Sequence, residues 1–455
     1  MHTAVFDIGK TNKKFSVFDE NLSEIHREYT TLPETTDEDG FPTEDLPVLS
    51  GWMKETLRKA LFSKDLRISK LNFSTYGASL VHLNAAGKPV APLYNYLKPF
   101  PEALRDEFFA EAGGQEDFCV RTASPWLGML NSGLQLYWLK QAQPGVFRQV
   151  RHALHFPQYC SYLFSKQLRS EYTSIGCHTG LWDYAAGDYH AWVKRHGMDR
   201  LFPPCRPATV KTEVIGFYKL IDVGAGIHDS SAALLPYLLG SPEPFLLLST
   251  GTWNITFNPF REDLLTGEDL RKDCLNYMRL DGAPVRASRL FFGNEFNKQT
   301  ALLAAHFGKT EGDYPHRIAF DEALYRKWSA GEEPLFHLES LQYPDGSIAS
   351  APQTRLERFP TFEEAFHRLM IELMRWQAGS IRLAAGAAPV RKLYVDGGFS
   401  QSNVFLRLLR VHFPGAELVV SAAPLGSSLG AAMAVNGSGL ARTFISDAKA
   451  IGAHE

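Results

Sequence analysis

Cysteine is scarce in this chain: there are five in 455 residues, Cys119, Cys160, Cys177, Cys205 and Cys274, and none stands in a C-x-x-C pair. An odd, scattered set excludes a disulfide framework and a zinc ribbon, and points to free thiols in a reducing compartment. Long apolar runs are missing as well. No stretch approaches the roughly 18 apolar residues of a membrane span. The apolar start is broken at Asp7, too early for a secretory leader. Charge of one sign is also lacking: the formal net charge is −3, with no block of like charges. That excludes a nucleic-acid surface or a basic membrane face. The expectation is a cytoplasmic protein with neither nucleic acid nor membrane among its partners.

What remains is ordinary globular composition, 45% hydrophobic and 21% charged. At about 100–200 residues per domain, the length predicts two domains or three. Strand patterns alternate with helical ones, giving an α/β class with mixed sheets. Thr3 to Phe6 and Phe15 to Phe18 read as a hairpin around Gly9, and Leu71 to Gly77 as a strand ending in a turn. Glu34 to Asp45 is acidic, with Pro33, Gly40 and Pro42 in or beside it, and reads as a surface loop. FLLLSTGTWNITFNP (Phe245 to Pro259) repeats the opening design of strand, glycine turn and strand, with Thr252 after Gly251 as Thr11 follows Gly9. This implies one structural repeat per half. SPEP, just before the second copy, suggests a division into 1–243 and 244–455. Phe362 to Ala385 reads as a long helix, RKLYVDGG as a strand, and PLGSSLGAAMAV as a small-residue helix.

Four glycine-turn segments carry chemistry. In DIGKTNKK, a tight turn presents backbone N–H groups to an anion, Thr11 adds a hydroxyl and Lys14 a cation. Asp7, at the strand end, offers an oxygen for hydrated Mg²⁺. STGTW is a second such nest. GAGIHDSSAAL places Asp229 between a glycine turn and a helix start, where it is either a base for a hydroxyl or a plain helix cap. His228 is a candidate for a sugar hydroxyl. In VDGGFSQSN, Gly397 and Gly398 let a flat ligand approach the backbone, with Ser400 or Ser402 as the following cap.

The order DIGKT, GIHDSSAA, STGTW, DGGFSQSN and PLGSSLGAAM spans nearly the whole chain and resembles the FGGY carbohydrate kinases. STYGASLVHLNAAGKPVAPLYNY resembles the early sugar-side segment of L-rhamnulose and L-fuculose kinases, and SEYTSIGCHTGLWD resembles their segment before the catalytic aspartate. The resemblance implies two ribonuclease-H-like domains of the actin and hexokinase type, with a cleft between them. It implies transfer of phosphate from ATP, with Mg²⁺, to a ketose at O1. Asp229 falls at the general base and Asp7 near the metal. Lys10, Thr11, Asn12, Lys13 and Lys14 fall on the first phosphate loop, Gly251 and Thr252 on the second. Gly397, Gly398 and Ser400 fall on the adenosine segment. Tyr76, Gly77, His228 and Ser230 fall on the sugar side.

Departures lie at Lys10, at Asn95-Tyr96 with Lys98 nearby, and at Gln158; an aromatic in place of an acid suggests a less hydroxylated sugar face. Kinases of D-xylulose, D-ribulose or a polyol stay open, as does a non-catalytic relative. Three decoys fall away. A P-loop needs glycine where Ala4 stands. A dinucleotide fingerprint from Gly224 meets Asp229 at its third glycine. A hydrolase elbow at Ser428 leaves only terminal Asp447 and His454 as partners.

Overall fold

The computed structural model describes residues 1–216, 219–309, 318–341, 343, 347–420 and 426–437, and the backbone of 449–450. Asp447 and His454 lie outside them. Alternation builds the first sheet. Ala4, Phe6 and Ile8 face a core with the helices Leu46–Phe62 and Phe156–Ser165. Val5 faces the other way, onto Ala232, Leu235 and the small-residue helix Gly426–Asn436.

The two halves share one topology. In the first, His2–Ile8 pairs antiparallel with Lys13–Phe18, which pairs antiparallel with Glu24–Thr30. On its other side His2–Ile8 runs parallel to Ile68–Thr75, and that strand runs parallel to Lys219–Gly224 and Ile227–His228. In the second, Leu246–Thr250 pairs antiparallel with Asn254–Asn258, which pairs antiparallel with Pro284–Leu290. Leu246–Thr250 also runs parallel to Lys392–Gly397, and Lys392–Gly397 to Glu417–Val420. The repeat expected from the paired glycine turns is present as this shared strand order. The helix Phe362–Ala385 begins and ends where its sequence pattern predicts, and Thr361 caps it at Glu364 N. None of the described helices is long and apolar enough to cross a membrane.

The helix Asp229–Gly240 touches both sheets. Ala232 and Leu235 pack on the first, Leu234 and Tyr237 on the second, against Phe257, Tyr277 and Tyr394. Pro236 lies inside it and has no N–H for the carbonyl of Ala232 four residues back. Against that carbonyl lies Gly430 of the small-residue helix: a Cβ there would sit 1.7 Å from Ala232 O. The glycine permits a crossing that no side chain allows. The small-residue helix is tied to the first sheet by hydrogen bonds from Asn72 Nδ2 to Ala431 O (2.7 Å) and from Asn436 Nδ2 to Thr3 Oγ1 (2.8 Å). Ser428, the hydrolase decoy, is buried in this helix.

The segment Glu34 to Asp45 departs from the expected surface loop. Glu34–Thr36 and Pro42–Glu44 form a small hairpin, and Asp37 and Glu44 are buried. The reason is charge pairing with groups distant in sequence: Lys98 reaches Asp37 at 2.7 Å and Asp39 at 2.6 Å.

Replacement of Gly430 by alanine places a methyl group on backbone that cannot swing aside. The expected cost is about 2–3 kcal/mol of stability, read by urea denaturation; an unchanged midpoint would mean the helices cross with room to spare.

Candidate active site

The carboxyl ends of the parallel strands gather the predicted residues. Ile8, Thr75 and His228 are neighbours across three strands, so the turns after them emerge side by side. In the second sheet Thr250 and Gly397 are register partners, so Gly251 and Gly398 also emerge together. Ligands of open α/β sheets bind at such strand ends.

The first turn closes with Gly9 N donating to Asn12 O (3.0 Å), leaving Thr11 and Asn12 exposed. Asp7 is register partner to Lys14, whose Nζ lies 3.3 Å from its Oδ2. The hydroxyls of Ser427 and Ser428 each donate to that same oxygen at 2.7 Å. Oδ1 receives no donor from the described residues. The oxygen chemistry and the open Oδ1 fit a hydrated Mg²⁺. Lys10 reaches Glu34 at 2.6 Å. Lys13 differs from the expected phosphate contact. Its ammonium is buried and donates to Gly9 O (3.0 Å), Lys10 O (3.0 Å) and Glu44 (2.6 Å), so it braces the turn from beneath.

The second turn is built from more distant parts. Gly251 N donates to Asn254 Oδ1 (3.1 Å), and Asn254 Nδ2 to Gln377 Oε1 (2.7 Å). Thr252 O accepts from Gly293 N at 3.1 Å and Asn294 N at 3.3 Å. Gly293 is required here, because a Cβ would fall 2.1 Å from Gly251 O. Thr250 Oγ1 donates to Asp396 O (2.6 Å) and accepts from Phe399 N (3.0 Å), which locks this turn to the Gly397 segment. Gly397 has φ +86°, while a Cβ on Gly398 would meet nothing within 4 Å, so that face is open to a ligand. Ser400 Oγ donates to Gly397 O (2.6 Å), and Ser402 is the residue that caps the next helix, at Phe405 N.

Asp229 opens its helix and is a third exposed. All its donors reach one oxygen: Oδ1 accepts from Ser230 N (2.6 Å) and Ser230 Oγ (3.2 Å), with His228 Nε2 at 3.1 Å. Oδ2 is left without a donor among the described residues. Burial pushes this carboxyl up, but the His228 charge and the Ser230 hydrogen bonds outweigh it and hold the pKa below the usual carboxylate value. His228 is buried; burial pushes its pKa down, but Cys177 and Asp229 raise it well above that of an ordinary histidine. Tyr76 packs edge-on to Tyr96 (5.8 Å), whose phenol is raised by burial and by the Asp229 charge.

Gly77 also has a packing reason: a Cβ there would lie 2.6 Å from Cys177 Sγ and 3.0 Å from the His228 ring. Of the sequence departures, Lys98 is spent on its aspartates, and Asn95 Nδ2 donates to Pro42 O (2.9 Å). Gln158 is buried, donating to Glu171, Ala225 O and Gly226 O at 3.3–3.4 Å. Of these, Tyr96 lies within reach of the Asp229 charge. Sequence reasoning gave no site role to Ser427, Ser428, Gly293, Cys177 or Tyr277, apart from the rejected hydrolase reading of Ser428. PLGSSLGAAM and SEYTSIGCHTGLWD, both quoted for the family resemblance, carried a signal for the two serines and for Cys177.

Removing the Lys13 ammonium leaves Glu44 buried and unpaired. Lys13→Ala is expected to lose about 3–5 kcal/mol of stability in chemical denaturation; a loss under about 1 kcal/mol would mean the pair behaves as an exposed one.

Comparison with known proteins agrees in both halves. Residues 3–235 match the FGGY family of carbohydrate kinases, N-terminal domain, and residues 242–443 match carbohydrate kinase FGGY, C-terminal domain. Among solved structures, a carbohydrate kinase from Novosphingobium aromaticivorans is 25% identical, with TM-score 0.79 over 95% of this chain and 91% of that one. A xylulose kinase from Rhodospirillum rubrum is 18% identical, with TM-score 0.78 over 99% and 93%. A Plasmodium falciparum glycerol kinase with ADP is 15% identical, with TM-score 0.67 over 95% and 88%.

Proposed function

The chain belongs to the FGGY carbohydrate kinases, and from that premise we propose that it phosphorylates a small ketose at O1, of the L-rhamnulose or L-fuculose type, with Asp229 as general base. One observation carries the role of Asp229. Three donors occupy Oδ1, leaving Oδ2 to meet a hydroxyl at the strand ends, among the glycine turns. Phosphoryl transfer asks the protein chiefly for position and charge stabilisation. The sugar lies over residues 1–243, against Tyr76, Tyr96 and Ser230; the nucleotide belongs mainly to 244–455.

Asp229 receives the hydroxyl proton on Oδ2. Backbone N–H groups around Thr11 and Thr252, with Lys10 and Lys14, stabilise the phosphates, and Lys10 exchanges Glu34 for phosphate to do so. Gly398 and Ser400 line the adenosine. Asp7 would hold Mg²⁺ through Oδ1, with Ser427 and Ser428 keeping its other oxygen fixed. Bound there, the ion neutralises charge that builds on the phosphate oxygens. A second substrate reading, D-xylulose or another pentulose, is favoured by the xylulose kinases among the structural neighbours.

The test is sugar-dependent ADP release across ketoses, polyols and aldoses. A deoxy-ketose is expected to be the best substrate; preference for a pentulose or polyol moves the second reading to first place. Asp229→Asn is expected to lose about 10²–10⁴ in rate while binding ATP normally, and retention of activity would remove Asp229 as the base. With its carboxyl held below the usual carboxylate value, Asp229 stays ionised as the pH falls, and rate is lost only once the pH drops below the ordinary carboxylate range. An acid limb at pH 6 in kcat/KM would assign the base to another group.

A further inference from the structure

Beyond the groups given a role above, one buried cluster stands behind the base. Cys177 is fully buried, with Sγ 3.2 Å from His228 Nε2 and 3.4 Å from His178 Nε2. The same His228 nitrogen meets Asp229 Oδ1 at 3.1 Å. The other, Nδ1, is buried without a partner among the described residues, so none of them tethers the ring through it. Its orientation rests on Cys177, on Tyr277 stacked at 5.6 Å and 9°, and on the close wall at Gly77. His228 N donates to Thr173 Oγ1 at 3.1 Å, fixing the backbone beneath.

This inference rests on the kinase reading: we propose that Cys177 is a positioning residue for the base, holding the His228 imidazole so that Nε2 stays on Oδ1 of Asp229 and Oδ2 stays turned to the substrate hydroxyl. His228, taken from sequence as a sugar contact, then acts through Asp229. The charged neighbours agree in sign. Cys177 and Asp229 both favour the imidazolium. His155, in reach of the same charge, is pushed down to about 3 by burial and by His228, so it adds no competing cation. His178 flanks the sulfur, where burial pushes the thiol up but the two imidazoles pull it down further. Behind Tyr277 lie Arg289 and Asp273, an ion pair at 2.6 Å. The charged imidazole is present below its raised pKa and lost as pH rises through it, so removing Cys177 brings that loss to lower pH.

The experiment compares wild type, Cys177→Ala and Cys177→Ser by steady-state kinetics against pH and by NMR titration of ¹⁵N-histidine-labelled protein. For Cys177→Ala, kcat is expected to fall about ten-fold with sugar KM within about two-fold, as for a displaced catalytic group. The His228 titration should move down, since one of its two raising partners is gone, and the basic limb of kcat with it. Cys177→Ser, which keeps a polar partner, should recover most of kcat but not the titration. An unmoved kcat and titration in Cys177→Ala overturns the proposal, as does a rise in KM alone, which marks a pocket wall. Should the alanine variant fail to fold, the serine variant's titration decides. If wild type phosphorylates no sugar, the functional reading fails by itself; the NMR shift still supports the coupling of Cys177 to His228, and its absence refutes it.

Discussion

A backbone carbonyl without its helical donor lies against a bare Cα, and the site depends on that contact. Pro236 withholds the N–H that Ala232 O would accept, and Gly430 brings the second helix onto the freed oxygen. Both helices begin at the candidate site. One starts with Asp229; the first turn of the other carries Ser427 and Ser428, which hold Asp7. The positions of two carboxylates, far apart in sequence, are thus set by one close crossing. Any side chain at Gly430 would spread the helices and move both acids together.

A second constraint is charge below the surface. The turn at Gly9 stands on the ion pair of Lys13 with Glu44, and the adjacent hairpin on that of Lys98 with Asp37. Each carries a desolvation cost that the opposite charge helps to offset. The same hairpin touches the segment bearing Tyr96, through Asn95 and Pro42. The turn at Gly9 and the surroundings of Asp229 therefore share a common support. In the second half, neutral hydrogen bonds do the corresponding work: Asn254 with Gln377, and Thr250 with Asp396 and Phe399. One topology is braced in two chemically different ways.

Much of the fold was legible in the sequence because its signals are local. The paired strand–glycine–strand hairpins, the helix Phe362–Ala385 and the strand before Gly397 follow from alternation, helical period and capping residues. The acidic stretch Glu34 to Asp45 was misleading, since composition says nothing about a distant lysine that will bury a carboxylate. Lys13 and Lys14 were equivalent as letters. Strand pleat separates them, sending Lys13 beneath the turn to Glu44 and Lys14 to Asp7.

By itself, then, the sequence determined the α/β class, the repeat, the family and the glycine turns, all set within a few residues of one another. Tertiary structure alone decided which oxygen of Asp229 is open, which lysine faces the turn, and that Cys177, Gly77 and Tyr277 surround His228. The physical reason is that these arrangements depend on distances between strand ends and helix starts. Such distances exist only once two sheets have closed on the helices that cross between them.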